Sequence, residues 1–468
     1  MYGGCHNTDS CTNTSYYNDV QYAKINSDGT LSSNTCGSSV TWCTTSSFTT
    51  ARYGFGTTIA NGYLYIMGGT NGSASSLNDV QYAKFNSDGT LGGWTAAING
   101  VMGGNQTGLA AAAYDGYLYV LGGYTSISTN HVQYALICTG SNSGVGGCSS
   151  TAGDVGTWAY THNGSNDGTT FVDGFTTARL LHASFATNGY LYVLGGRDGG
   201  NNDFSDVQYA LICTANNSGQ GGCTGTVGTV GSWQSTASFA TGRDGLTATA
   251  SNGYLYITGG CTSRSGFFHA CNNVASDTQY AKIMSNGGIA SDSGCGSAWC
   301  TTASFTTARQ GAGAAVYNGY LYLLGGAPSG GSQAIAYKDV QYAPLNNGGG
   351  GNTSAWNTNS TSLSTARYSP GSLASSGYLY VLGGNANGGG GLSTVEYAPI
   401  STGGVGTFTP TSSFNGSIDG NAAYAAYNGY IYKTGGGHNG SASNNDVQYA
   451  AICTGSNTTS AFAANCTT

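Results

Sequence analysis

Between Thr50 and Trp94 the chain reads TARYGFGTTIANGYLYIMGG, then a variable stretch, then NDVQYAKFNSDGTLGGW from Asn78 onward. Each phrase reads as a β-strand. In Tyr63-Leu64-Tyr65-Ile66-Met67 every residue is apolar or aromatic, the pattern of a strand buried on both faces. Asn61-Gly62 just before it supplies the left-handed residues of a tight hairpin. Val80-Gln81-Tyr82-Ala83-Lys84 alternates, so this strand lies further out with one wetter face. Asp88-Gly89 makes the next turn, and Trp94 enters a fourth strand.

Working outward, the same phrases return along the whole chain. The Gly-Gly pair occurs at Gly3, Gly68, Gly122, Gly195, Gly259, Gly325, Gly383 and Gly435. A Val-Gln-Tyr-Ala phrase or close variant follows every pair, with its tyrosine at Tyr22, Tyr82, Tyr134, Tyr209, Tyr280, Tyr342, Tyr397 and Tyr449. Seven of these are followed by an aromatic: Trp42, Trp94, Trp158, Trp233, Trp299, Trp356 and Phe408. Four antiparallel strands repeated every several tens of residues are the blade of a β-propeller. One blade cannot bury both its faces, whereas a ring of blades can. The 468 residues would suit several ordinary domains. The repetition predicts instead one all-β domain over 1–468, built from eight units of which the first and last are incomplete. The Tyr-x-Tyr phrases are expected to supply contacts between neighbouring blades.

The double glycine after an apolar strand, the downstream Tyr and the spaced Trp resemble the kelch repeat. The resemblance covers nearly all the chain and recurs in every unit. It implies a propeller of four-stranded blades. It does not imply one role, because kelch propellers serve as enzymes, adaptor domains and cell-surface modules. The units are longer than usual for kelch. The excess lies in the loop after Gly-Gly and in the loop between the Val-Gln-Tyr-Ala strand and the Trp.

Those two loops carry the cysteines. All 14 fall into close sequential pairs: Cys5 and Cys11, Cys36 and Cys43, Cys138 and Cys148, Cys213 and Cys223, Cys261 and Cys271, Cys295 and Cys300, Cys453 and Cys466. No Cys-x-x-Cys or Cys/His cluster has zinc spacing, so seven short-range disulfides and an oxidising, extracellular or cell-surface location are expected. No basic n-region precedes Met1-Tyr2-Gly3-Gly4-Cys5, and no apolar run is long enough to span a membrane as a helix. Eleven Asn-x-Ser/Thr sequons, among them Asn71-Gly72-Ser73 and Asn439-Gly440-Ser441, agree with a glycoprotein, though such tripeptides are common in so polar a chain. Charged residues are only 7%, against about 25% in typical soluble proteins. Lys and Arg total 12 and the net charge is −7, which excludes the basic stripe that nucleic acid requires.

Catalytic sets are sought without success. His6, His131, His162, His182, His269 and His438 lie in different units, so the His/Tyr copper site of the kelch-class oxidases is not expected, nor any other metal or cofactor. Ser87–Trp94 approaches the Asp-box hairpin of sialidases, but Gly89 directly follows Asp88, and an Asp-Gly turn accounts for it. Asp19, Asp79, Asp206, Asp339 and Asp446 repeat, which marks them as turn or packing residues. Asp173, Asp419 and Glu396 are too scattered to form a glycosidase pair.

One constellation stands out. Counting back from each Asn-Gly-Tyr turn, the same position holds Arg52, Arg179, Arg243, Arg309 and Arg367, with Gln106 and Asp419 in two other units. By resemblance, the kelch Arg here lies near one mouth of the central channel, and in some adaptor domains it grips acidic peptides. These seven residues are the candidate ligand ring, binding a carboxylate or sulfate through bidentate hydrogen bonds. The alternative is that each Arg ties its own blade to backbone carbonyls or a nearby Asp.

The resulting expectation is a secreted or cell-surface, non-catalytic binding or adhesion propeller with a protein or glycan ligand. The alternatives are a carbohydrate-active enzyme and a structural filament subunit. For ring closure, eight blades are preferred, with a segment upstream of Met1 completing units one and eight. Seven blades result if the Trp42 strand completes unit eight. If an adjacent molecule fills the open edge beside Tyr449, the propellers self-associate into a filament.

Overall fold

The structure is a computed structural model that describes residues 15–451 apart from 25–29, 32–41, 53, 72–75, 125–127, 162–173, 201, 265–270, 291–294, 329–334, 346–350, 354, 388–389, 402–403, 415–421, 428 and 439–449. Blade 1 is the plan for the rest: Gly56–Ala60, Tyr63–Met67, Asp79–Lys84 and Thr95–Val101 pair in that order, all antiparallel. The first of these is the innermost strand. Its residues meet the corresponding strand next door, so that a Cβ on Gly56 would touch Ala111. Further round, Ser372 Oγ donates to the Ala314 carbonyl at 2.9 Å. Blades 2 to 6 repeat the plan around the second strands Tyr117–Tyr124, Tyr190–Leu194, Tyr254–Thr258, Tyr320–Leu324 and Tyr378–Leu382. In each, the second Tyr of Tyr-x-Tyr faces the Tyr of the third strand, as Tyr65 faces Tyr82.

Blade 7 corrects the preferred blade count. Ala423–Tyr427 and Tyr430–His438 belong to unit eight, but the third strand is Ser15–Lys24 and the outer strand is Trp42–Thr44, both from unit one. Tyr22 faces Tyr432 in the register used by every other blade. The described strands therefore make seven blades, and the Trp42 strand completes unit eight. The physical reason is that an open strand edge recruits a partner, and the edge of Tyr430–His438 takes Ser15–Lys24.

Each of seven hydrophobic clusters spans two blades. Tyr65, Met67 and Tyr82 of blade 1 pack with Leu118, Val120 and Ala135 of blade 2. Val20, Tyr430 and Tyr432 of blade 7 pack with Phe55, Leu64 and Ile66 of blade 1, and Trp42 and Ile431 pack with Tyr380 and Leu382 of blade 6. The ring is thus closed through blade 7. The tyrosines hold the blades together, as expected. Tyr65, Tyr119, Tyr192 and Tyr432 are buried, and each donates its hydroxyl to a glycine carbonyl in the next blade: Gly153, Gly228, Gly287 and Gly89, at 2.8–3.0 Å. Those glycines have φ of +83° to +89°, and a Cβ on any of them would sit within 2.5 Å of a ring of the first Tyr of the phrase.

Disulfides Cys138–Cys148, Cys213–Cys223, Cys261–Cys271 and Cys295–Cys300 are present. The pairs Cys5–Cys11, Cys36–Cys43 and Cys453–Cys466 fall outside what the structure describes. No helix among the described residues is long and apolar enough to cross a membrane.

Candidate functional site

The repeated arginines sit where the outer strand of one unit hands over to the innermost strand of the next. Arg52 forks the carboxylate of Asp79, with Nη1–Oδ1 at 2.6 Å and Nη2–Oδ2 at 2.7 Å. Its Nη1 also reaches the Gly68 carbonyl at 3.0 Å, and its Nε the Thr50 carbonyl at 3.0 Å. Gln81 braces the same carboxylate through Nε2, while its Oε1 accepts from the Thr49 amide. Arg179–Asp206, Arg243–Asp277 and Arg309–Asp339 repeat the fork. In blade 6 the Asp position holds Thr394, and the carboxylate moves two residues on, to Glu396, which takes Arg367. Burial alone would raise the four Asp carboxyls, but the arginine hydrogen bonds and charge outweigh it and hold them below their ordinary range.

This overturns the candidate ligand ring. Arg52, Arg179, Arg243, Arg309 and Arg367 are at most 1% exposed, and their donors point into their own blades. Gln106 is also buried, at 1%, and the third strand beside it has His131 where blades 1, 3, 4 and 5 have Asp. Asp419 lies outside the described residues. The five arginines frame the blade, because each is buried and spends most of its N–H groups on a carboxylate and backbone carbonyls of its own blade.

The residues immediately after them form the turn into the innermost strand. The position two beyond each Arg takes left-handed backbone in all six described units: Gly54, Gly108, Leu181, Gly245, Gly311 and Ser369. That sharp turn lets neighbouring blades bond around the mouth, as Gly108 N to Gly54 O at 2.8 Å and Ser369 N to Gly311 O at 2.8 Å. The residue between Arg and turn pairs with the residue after Gly-Gly: Thr107 with Tyr124, Leu180 with Arg197, Asp244 with Cys261, Gln310 with Ala327, Tyr368 with Asn385. This inner rim is not repeated in sequence.

On it, charged side chains from two blades converge, joined by a glutamine from a third. Asp244 of blade 4 is fully buried. Arg264 forks it, with Nε–Oδ2 and Nη2–Oδ1 both 2.8 Å, and Arg197 of blade 3 approaches at 3.1 Å. The same Arg264 Nη2 reaches Gln310 Oε1 of blade 5 at 3.2 Å. Arg264 stands on a hairpin, Cys261–Arg264 with Cys271–Val274, that begins at the Gly-Gly pair of blade 4 and is closed by its disulfide. Asp203, in the blade 3 loop that bridges Arg197, completes the group. Burial and then the neighbouring Asp244 charge push its carboxyl up to about 7, and its buried Oδ1 meets no partner among the described residues. The cluster therefore offers a carboxyl raised to about 7 beside a fixed platform of two guanidinium groups and one carboxylate. Arg197, Asp203, Asp244 and Arg264 escaped the sequence reading because it followed repetition. The available signal was their failure to repeat, in a chain with so few charges.

A kelch motif model matches residues 51–82, which are the arginine turn, the Tyr-x-Tyr hairpin and the third strand of blade 1. The chain carries a kelch motif in blade 1. The solved structure titled "Structure of YjhT" has the same fold, with TM-score 0.50 at 16% identity, over 77% of this chain and 97% of that one. No curated protein matches the sequence. The repeated blade framework accounts for the buried arginines and tyrosines, and the inner rim is the part that does not repeat from blade to blade.

Proposed function

We propose that this propeller is a secreted or cell-surface binding module whose ligand, a glycan or a protein, docks at the channel mouth over the rim of blades 3 to 5. The convergence of Arg197, Asp203, Asp244, Arg264 and Gln310 supports this most directly. The repeated Arg–Asp pairs each stay within one blade, whereas Arg197–Asp244 joins two. Loops on a rigid frame are where binding residues concentrate. Four disulfide-closed loops and the scarcity of charge suit an extracellular setting. A glycan array probed with the parent, Asp203→Asn and Gln310→Ala tests the assignment. Both variants should bind at least about 10-fold more weakly with unchanged melting temperature. Parent-like binding by both would remove the rim from the site.

One observation favours a second reading, a carbohydrate-active enzyme. A carboxyl raised to about 7 beside a second carboxylate is the pairing of a glycosidase general acid and its partner. Against it, two arginines already engage Asp244. Hydrolysis of glycan substrates with a rate that falls as Asp203 ionises would favour the enzyme.

A further inference from the structure

Blade 2 departs from the plan at its handover. In blades 1, 3, 4 and 5 the glutamine of the third strand is engaged at both ends. Its Nε2 donates to the fork carboxylate at 2.5–2.7 Å. Its Oε1 accepts a backbone amide, from Thr49, Thr176, Ala240 and Thr306 in turn. Gln133 of blade 2 keeps the second bond, from the Gly103 amide at 2.6 Å. The carboxylate position beside it holds His131, which packs edge-on against Tyr160. The arginine position holds Gln106. A glutamine ends where an arginine has its Nε, so Gln106 stops short of the groups that Arg52 reaches. Thr129 borders the same place. Its carbonyl accepts from the Arg179 amide of the next blade, as the Phe204 carbonyl accepts from Arg243, and the Phe204 ring lies 4.5 Å from the Arg179 guanidinium. Gln106, Thr129 and Gln133 are at most 6% exposed. Gln106 Oε1, Thr129 Oγ1 and Gln133 Nε2 are buried and meet no partner among the described residues.

We propose that the handover of blade 2 is a binding site for a structural water molecule, held by Gln106 Oε1, Thr129 Oγ1 and Gln133 Nε2. The water bridges strands that the carboxylate–guanidinium fork bridges in blades 1, 3, 4 and 5. Buried polar groups are costly unless each finds a hydrogen bond. These three supply an acceptor, a donor and a hydroxyl that does either, which is the complement of one water molecule. None of the three carries a charge, so an ion in their midst would lack the counter-charge that burial demands. Blade 2 thus lacks both charges of the fork together, and a neutral bridge takes their place.

Two measurements on the full chain test this. A high-resolution crystal structure should show an ordered water within about 2.7–3.2 Å of all three atoms. Oxygen-17 relaxation dispersion of the solvent counts long-lived internal water in solution. The double variant Gln106→Arg/His131→Asp should build the fork in blade 2 and expel the water, lowering the dispersion amplitude by the contribution of one molecule. Its melting temperature should exceed that of either single variant, each of which buries a charge without its partner. Thr129→Val keeps the shape, removes one of the three partners and should lower the amplitude part-way; this variant decides the matter if the double variant does not fold. The proposal is overturned if the crystal structure shows protein groups, and no water, bonded to Gln106 Oε1 and Gln133 Nε2. It is equally overturned if the folded variants give the amplitude of the parent.

Discussion

The buried fork between Arg179 and Asp206 shows what a repeated charge does in this ring. It stabilises a handover between strands, and removing one partner strands the other in a partly buried place. Arg179→Ala should cost about 3 kcal/mol, read as a fall in melting temperature with ligand binding preserved per folded molecule. The four carboxyls held down by arginine contribute stability that is complete above the ordinary carboxylate range of about 4 and is lost as pH falls below it. Their acid limb should therefore flatten in Asp206→Asn. His182 is a contrasting case. It stands where other units have Phe55, Leu109 and Leu246. Neither of its ring nitrogens has a partner among the described residues, and burial, with help from Arg179, pushes its pKa down to about 3. The folded state resists its protonation, so stability falls as pH drops through the unfolded value near 6.5. Replacing His182 with Leu should stabilise the protein by about 1–3 kcal/mol, with the gain over the parent widening below that pH in a melting series. Much of this was legible at the level of pattern. That an Arg recurs is visible in the sequence; that its guanidinium turns inward is decided by Asp79 and Gln81, some thirty positions away. The cluster around Asp244 could not be read, because its members come from three blades and share no spacing.

Among the elements, the joint between Tyr-x-Tyr and the next blade's glycine turn is the most demanding. At Gly228 the backbone has φ of +89° and a Cβ would lie 2.1 Å from the Tyr117 ring. Gly228→Ala should cost about 2–3 kcal/mol from backbone strain and overpacking together. Tyr119→Phe, which loses only the hydroxyl bond to the Gly228 carbonyl, should cost about 1 kcal/mol. If the two cost the same in chemical denaturation, the joint is a hydrogen bond and little else. The Cys213–Cys223 loop is a different kind of element. Its bridge spans 10 residues, worth about 2–3 kcal/mol in loop entropy. The Cys213→Ala/Cys223→Ala pair should speed hydrogen exchange in 214–222 far more than in the neighbouring strands. Hairpins and staples like these were plain in the sequence, since a turn and its two strands, or a cysteine and its partner, lie within a few residues of each other.

The whole ring is where sequence reading fell short. Strands were assigned to the unit in which they are written, which gives eight. Pairing obeys edges instead, and the strand Ser15–Lys24 finds its edge at Tyr430–His438, at the far end of the chain. The tyrosine-packed interior gives the assembled ring a spectroscopic signature. Burial, followed by Asp154 and then Tyr63, raises Tyr82 to about 12; burial and then Asp88 raise Tyr430 to about 12; and Tyr65, Tyr119 and Tyr432 go higher still. In an alkaline absorbance titration these groups should stay silent through pH 10, where free tyrosine ionises. They should then titrate together in one steep step as the fold gives way. A second consequence follows from the seven clusters, each shared by two blades. No blade can leave without opening two apolar walls at once. Survival against proteases is therefore a matter of rate. The barrier to first opening is high, the interval between openings is long, and the protein persists by a half-life that its equilibrium stability alone would not reveal.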